Sequence, residues 1–159
     1  MTDSNTDNEL FKLLKKSKTI AMVGVSSIKI ENNPANIKRK SSIIVMKYLQ
    51  EFGYKVIPVN PNSEGKEIYG EKIIGKLEDI NIPVDIVNIF RPSRETPELA
   101  NQSAAIGANV LWLQFGIHNE DAHKIAQSKN INYVSNRCIK QEYQRLFLKV
   151  SPVFPALKS

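Results

Sequence analysis

The stretch from Thr19 to Ser27 constrains the fold more than any other part of the chain. It is apolar from Ile20 to Val23 and ends in Gly24, Val25 and two serines. Such a run is typical of a strand buried on both faces, as in a parallel sheet covered by helices. The glycine lets the chain turn sharply without a Cβ clash. At this turn, N–H groups and hydroxyls could hold a phosphate, or the turn could be an ordinary strand–helix connection.

Further apolar stretches predict four more strands, at 54–61, 84–90, 109–114 and 131–135. Helical spacing of apolar residues predicts helices at 9–17, 41–52, 119–129 and 141–148, with another ending near 106. The segments 28–40 and 62–76 read as loops, the second with a short piece of strand. This alternation predicts the α/β class, as a Rossmann-type, doubly wound, parallel five-stranded sheet with helices on both faces. Right-handed crossovers with one reversal predict the strand order 3-2-1-4-5 and a crevice beyond strands one and four.

The length of 159 residues fits one domain. We expect a disordered amino terminus at 1–8, a single domain at 9–148 and a loose tail at 149–159. No apolar run approaches the roughly 20 residues of a membrane-spanning helix, and the polar amino terminus lacks a signal-peptide pattern. A single cysteine, Cys138, fits a reducing compartment, so the predicted location is cytoplasmic.

The formal net charge of +6 indicates an anionic partner. Nucleic acid and a small molecule with several phosphates both fit such a balance. Nucleic acid is the weaker interpretation, because aromatic residues do not alternate with the basic ones. The run Lys38-Arg39-Lys40 precedes the second helix, where it could neutralise phosphate or simply be a solvated surface.

Two absences argue against an NAD site. A dinucleotide-binding unit normally has G-x-G-x-x-G after its first strand and an acidic residue closing its second. Here Gly24 is not followed by the other two glycines, and the second strand ends in Val59-Asn60-Pro61 without a carboxylate. A neutral strand end with cations nearby better suits a nucleotide that carries an extra phosphate.

Several segments form a recognisable set, the most specific being V-I-P-V-N-P at 56–61 and W-L-Q-F-G at 112–116. The others are 20–26, 46–49, 53–55, 65–70, 83–91, 107–108 and 136–143. In this order they resemble the small stand-alone CoA-binding proteins of the CoA-binding-domain, or YccU-like, family, over about residues 10–147. The loop between Gly24 and Ser42 is longer than the family's usual loop, and the family's R-C-P-K appears as R-C-I-K at 137–140.

This resemblance implies a Rossmann-type fold shared with the nucleotide-binding domain of the succinyl-CoA synthetase α subunit, and coenzyme A or a short acyl-CoA as the ligand. The first turn would cradle the pyrophosphate, and the start of the second helix would add phosphate contacts. The second strand's end would border adenine and ribose, the third strand's end would flank the nucleotide or pantetheine, and the fourth's would form the opposite wall. The expected binding residues are Gly24, Val25, Ser26, Ser27, Arg39, Lys40, Ser42, Val59, Asn60, Pro61, Phe90, Arg91, Gln114 and Gly116.

The sequence contains no pattern that predicts catalysis by the isolated chain, since paired carboxylates, a nucleophile with its base, and metal-ligand spacing are all missing. His118 and His123 have no acidic partner by spacing, and Asp85, inside an apolar strand, is expected to be structural. Cys138 lies near two cations and could form a mixed disulfide with the CoA thiol, or be inert.

Three functions therefore stay open. The chain could be a CoA binder, a subunit that hands CoA to a partner in an acyl-CoA ligase or synthetase-like enzyme, or a regulatory module that senses NAD(P) or CoA redox state. The expected partner is a small nucleotide ligand, and a homodimer or an unidentified protein partner is compatible with the sequence. Neither a membrane nor nucleic acid is expected.

Overall fold

A parallel five-stranded sheet forms the centre of the computed structural model, which describes residues 4–25 and 37–149 and, for 37–40, the backbone alone. The strands are β1 (Thr19–Val23), β2 (Lys55–Val59), β3 (Ile86–Ile89), β4 (Val110–Leu113) and β5 (Asn132–Val134). The helices are α1 (Asp7–Lys16), α2 (Ile37–Glu51), α3 (Thr96–Ala105), α4 (Glu120–Ser128) and α5 (Ile139–Tyr143), which continues as a π-helical turn at Gln144–Leu148. The predicted Rossmann-type α/β class is confirmed.

The two faces of the sheet are covered by different helices. Ile20 and Met22 of β1 point into a core shared with α1, α2 and α5. Ala21 and Val23 point into a second core, to which α3 and α4 contribute mainly small side chains such as Ala100. This alternation along one strand is what a strand buried on both faces requires. Helices on both faces confirm that the sheet is doubly wound.

The strand order is β2-β1-β3-β4-β5, so the predicted order 3-2-1-4-5 is wrong. The third strand pairs with β1, where Ile20 lies opposite Ile86, and not with β2. The outer edge of β2 is already occupied: the N–H of Ile74 donates to the carbonyl of Pro58, and the carbonyl of Ile74 accepts from Asn60, both at 2.9 Å. The next strand is instead added on the other side of β1.

The connection between β2 and β3 explains this path. It holds a short hairpin, formed by Glu67–Ile68 and Glu71–Lys72, and a 3₁₀ turn at Leu77–Asp79. Because this connection runs beside β2, β3 is added next to β1, and the direction of winding reverses between β1 and β3. The crevice therefore lies beyond β1 and β3, and not beyond strands one and four as the sequence predicts. In open α/β sheets the ligand crevice lies where the winding reverses.

Helix α1 begins two residues earlier than the sequence pattern indicates. The Thr6 hydroxyl accepts from the N–H of Glu9 at 3.2 Å, and the Glu9 carboxylate accepts from the N–H of Thr6 at 2.8 Å. This reciprocal capping fixes the first turn, so 7–8 are helical although the segment 1–8 was expected to be disordered. Helix α2 likewise starts at Ile37, inside the predicted loop, while 28–36 and the tail 150–159 lie outside the described residues.

No helix within the described parts of the chain is both long and apolar enough to cross a bilayer.

At the amino end of the sheet, Asp85 has the structural role expected of it. One of its carboxylate oxygens accepts from the N–H groups of Lys18, at 2.8 Å, and Thr19, at 3.0 Å. The other accepts from the side chain of Asn109 at 3.5 Å. Asp85 therefore joins the starts of β1, β3 and β4.

Candidate functional site

A cleft of about 580 Å³ opens beyond the carboxyl ends of β1, β2 and β3. It lies at the reversal of the sheet, between the 60–78 connection and α3, and its volume is typical of a small-molecule site. The lining residues are Val23, Gly24, Val59, Asn60, Pro61, Asn62, Gly75, Lys76, Leu77, Glu78, Arg91, Glu95, Glu98, Leu99, Gln102, Ala105 and Ile106. Five of the predicted binding residues meet here, namely Gly24, Val59, Asn60, Pro61 and Arg91.

Gly24 forms the point where three strand ends approach one another. Its φ is +104°, and a Cβ at this position would lie 2.7 Å from the carbonyl oxygen of Phe90 and 3.1 Å from Cδ of Arg91. Its N–H donates to the carbonyl of Val59 at 2.9 Å. Both the backbone conformation and the space therefore require glycine.

Asn60 joins the turn after β1 to the turn after β2. Its side-chain amide donates to the carbonyl of Val25 at 2.9 Å, and its side-chain oxygen accepts from the N–H of Asn62, also at 2.9 Å. Pro61 follows as the first residue of a 3₁₀ turn at Pro61–Ser63. Because both ends of the Asn60 side chain are used by the protein, this residue shapes the cleft.

Arg91 is held against the cleft wall by Glu95. Its Nε and one terminal nitrogen donate to the two carboxylate oxygens of Glu95, at 2.9 Å and 2.8 Å. These hydrogen bonds raise the pKa of Arg91 and lower the pKa of Glu95. A guanidinium has five N–H donors, and the remaining three have no acceptor among the described residues. They could serve an anionic ligand.

The rest of the wall carries polar side chains of both charges, which no sequence pattern indicates. Lys76 and Glu78 come from the connection after β2, while Glu98 and Gln102 project from α3. The amide of Gln102 donates to the carboxylate of Glu98 at 3.3 Å. These residues share no local motif. The spacing of Glu98 and Gln102 indicates a polar face on α3, but only the fold shows that this face meets the cleft.

Other predicted binding residues do not line this cleft. The side chains of Val25 and Ser42 are buried, and Phe90 packs half-buried against the core beneath α1, α2 and α5. Gly116 is exposed, and its N–H donates to the side chain of Asn136 at 2.7 Å. None of these residues lines the cleft, so their ligand contacts stay predictions.

Gln114 connects three elements at the other face of the sheet. Its side-chain oxygen accepts from the amide of Asn88, at 3.2 Å, and from the N–H of Ile139, at 3.0 Å. Gln114 is itself buried. Since β3 lies between β1 and β4, the end of β4 does not form the opposite wall of the cleft.

Part of the predicted phosphate site lies outside the described residues. Ser26 and Ser27 lie outside the described residues, and the side chains of Arg39 and Lys40 do as well. The backbone of 39–40 belongs to the first turn of α2. The phosphate contacts expected of these four residues stay predictions.

The remaining reactive side chains also lie away from the cleft lining. His118 is exposed, and the ring of His123 stacks on Tyr133 with the ring centres 4.3 Å apart. Cys138 is half-buried against the core shared with α1, α2 and α5. A reaction of Cys138 with a ligand thiol stays a prediction.

Residues 18–144, which contain the whole cleft lining, match the family described as the CoA binding domain. The chain belongs to this family. The uncharacterized protein YneT of Bacillus subtilis is 36% identical over 132 residues, which cover 83% of this chain and 90% of YneT. The structure of cell-free ID.343 from Thermus thermophilus has a TM-score of 0.80 and 34% identity, covering 90% of this chain and all of that one.

The fold also occurs within a larger enzyme. The dinucleotide-forming acetyl-coenzyme A synthetase 1 of Ca. Korarchaeum cryptofilum, solved with phosphate and ADP, has a TM-score of 0.60 and 24% identity. The likeness covers 81% of this chain and 28% of the synthetase chain. It shows that the two share a fold. The resemblance drawn from the sequence is thus confirmed at the level of family and fold.

Proposed function

We propose that the protein binds coenzyme A, or a short acyl-CoA, in the cleft beyond β1, β2 and β3, and that the isolated chain does not catalyse a reaction. The observation that carries this proposal is the meeting of Gly24, Val59–Pro61 and Arg91 around one cleft, within a chain of the CoA binding domain family. The single cysteine further supports a location in the reducing cytoplasm.

The cleft offers different surfaces to the two parts of the nucleotide. Leu99 and Ile106, which line the cleft and are only partly buried, supply apolar area on which an adenine ring can lie. Gly24 permits close approach of the backbone, and Arg91 provides directed N–H donors beside it. We therefore assign the adenosine to the apolar part and the pyrophosphate to the Gly24–Arg91 end.

The predicted residues outside the cleft lining fall into two groups, those proposed to contact the pyrophosphate and the others. Ser26, Ser27, Arg39, Lys40 and Ser42 follow β1 in the chain, so we assign them to the pyrophosphate. Val25, Phe90, Gln114 and Gly116 do not line the cleft. Only the pantetheine arm, extending past the end of β3, could reach the latter two.

A second function is favoured by the fold comparison. Because the same fold forms part of an acetyl-coenzyme A synthetase, this chain could act as the CoA-handling subunit of a synthetase-like enzyme whose partner supplies the acid–base groups. Co-purification with a second polypeptide that confers activity on added acyl-CoA would favour this function. A monomer or homodimer that retains CoA by itself would favour the simple binder.

A thermal-shift series with CoA, acetyl-CoA, 3′-dephospho-CoA, NAD and ATP tests the proposal. A ligand that binds only the folded chain raises the melting temperature according to its excess over Kd. We expect CoA or acetyl-CoA to give the largest rise at equal concentration. If NAD or ATP stabilises the chain and both CoA compounds leave it unchanged, the proposal is wrong.

A further inference from the structure

Two cations line the cleft within the described residues, and the protein holds them in different ways. Arg91 makes two short hydrogen bonds to Glu95. Lys76 has its Nζ 3.9 Å from the Glu78 carboxylate, beyond hydrogen-bond length, and its side chain is 70% exposed. Such an exposed ion pair contributes little to the stability of the folded chain. Arg91 is thus fixed in direction, whereas Lys76 is a mobile point charge.

The backbone that carries Lys76 is nevertheless firmly placed. Two residues earlier, Ile74 hydrogen-bonds to β2, and one residue later Leu77 is buried in the core. The carbonyl of Lys76 itself accepts from the N–H of Asp79 at 3.1 Å, closing the 3₁₀ turn. The position of the lysine on the rim is therefore set by the fold, and only its side chain needs to move toward a ligand.

The location of Lys76 compensates for a feature of the sequence. The five residues after β2, at 60–64, read Asn-Pro-Asn-Ser-Glu and contain no cation. The wall of the cleft built by the β2–β3 connection therefore takes its positive charge from Lys76, among the residues that the structure describes. The Gly24 end takes its positive charge from Arg91, whose Cδ lies close beside Gly24.

We propose that Lys76 selects ligands that carry a second phosphate, remote from the pyrophosphate, and so recognises the 3′-phosphate of CoA. This inference rests on the proposed function. A guanidinium held by two hydrogen bonds suits the directed oxygens of a pyrophosphate, whereas a mobile ammonium suits a terminal phosphate as a point charge. Because the 3′-phosphate is carried by the ribose and not by the pyrophosphate, we place it at the 60–78 wall, where Lys76 lies. Moving the Lys76 ammonium from Glu78 to a ligand costs little free energy, because the contact between the two side chains is long and exposed.

The test is a cycle of two ligands and three proteins, with Kd measured by isothermal titration calorimetry for CoA and 3′-dephospho-CoA. The proteins are the wild type, Lys76→Gln and the control Lys72→Gln, which removes the same charge from an exposed hairpin residue outside the cleft lining. We expect the wild type to prefer CoA by about tenfold, and Lys76→Gln to reduce this preference to about twofold, as for a partly exposed charge pair. Lys72→Gln keeps the wild-type preference.

Two further measurements separate this inference from the proposed function. High salt should abolish the Lys76-dependent preference, because exposed charges are screened. Arg91→Lys should weaken both ligands by similar factors and leave their ratio intact. A wild type that binds CoA while Lys76→Gln keeps the full preference overturns the inference alone. A wild type that binds neither ligand overturns the proposed function and this inference with it.

Discussion

The two ends of β3 each have a charged residue, and the protein treats them in opposite ways. At the amino end, Asp85 accepts two backbone N–H groups and a side-chain amide, so protein donors surround its carboxylate. At the carboxyl end, Arg91 is paired with one carboxylate and keeps three N–H donors that no described residue accepts. The first end closes the sheet, and the second leaves donors beside a cleft. We therefore expect substitutions at the amino ends of the strands to affect stability, and those at the carboxyl ends to affect binding as well.

A glycine at the carboxyl ends of the strands and one at the amino ends differ in the space around them. Gly24, at the carboxyl edge, has no room for a Cβ because the carbonyl of Phe90 stands in the way. Gly53, just before β2, also has a positive φ, of +98°, but open space around the position a Cβ would take. Close approach of backbone segments is thus specific to the edge that carries the cleft.

The largest effect is expected from Gly24→Ala. The methyl group forces apart the ends of β1 and β3, so we expect a loss of about 3 kcal/mol in unfolding free energy from strain and overpacking. Coenzyme A affinity should fall at least about 100-fold, since a 1 Å displacement of binding groups removes several contacts. Urea unfolding and calorimetry measure the two effects.

Gly53→Ala is the matched control for this variant. It meets the same unfavourable φ without the clash, so it should lose only about 1 kcal/mol and bind CoA as the wild type does. Equal CoA affinity of Gly24→Ala and Gly53→Ala would show that the close approach at Gly24 is irrelevant to binding.

Asp85→Ala is expected to have the next largest effect, on stability alone. It leaves the N–H groups of Lys18 and Thr19 without their acceptor. Because the first is exposed and the second only partly buried, this costs about 1–2 kcal/mol. The CoA affinity should stay within twofold of the wild type, about 0.4 kcal/mol, because the change lies at the far edge. Asp121→Ala removes an exposed carboxylate from the first turn of α4 and should cost only about 0.5 kcal/mol. A strong loss of CoA binding in folded Asp85→Ala would contradict the separation of the two edges.

The smallest effect is a pH-dependent contribution of the Arg91–Glu95 pair to stability. The pKa of Glu95 is lowered in the folded chain, mainly by its hydrogen bonds to Arg91, from an ordinary value of 4.5. The contribution is therefore present above that value and is lost as the pH falls through the lowered pKa. Because both side chains are more than a third exposed, it should amount to no more than about 0.5 kcal/mol.

Urea unfolding of wild type and Glu95→Gln between pH 7 and pH 3 measures this contribution. The wild type should be slightly more stable at pH 7, and the difference should vanish at the acidic end. A difference that grows toward low pH would have the opposite sign and would contradict the pairing.

The sequence predicts the fold class because apolar stretches of strand length alternate with segments whose apolar residues recur at helical spacing. It does not predict the strand order. In the structure Ile74 pairs with the outer edge of β2, and the short piece of strand predicted within 62–76 does not by itself indicate that pairing. The error had a consequence for the site. With β4 placed beside β1, Gln114 and Gly116 form an opposite wall; with β3 between the two strands, they lie outside the cleft.

The residues at the strand ends could be predicted, because turns and strand ends have local signals. Gly24, Val59–Pro61 and Arg91 all line the cleft. Lys76 and the polar face of α3 could not, because they reach the site only through tertiary packing. A charged side chain in a loop looks the same in the sequence whether it faces solvent or a cleft.

Calorimetric titration of the wild-type chain with coenzyme A, and separately with NAD, tests most directly whether this cleft holds a phosphate-rich adenine nucleotide. We expect one CoA to bind per chain with measurable heat, and NAD to bind at least about tenfold more weakly, a difference of about 1.4 kcal/mol. Tight binding of NAD together with no heat from coenzyme A would contradict the account.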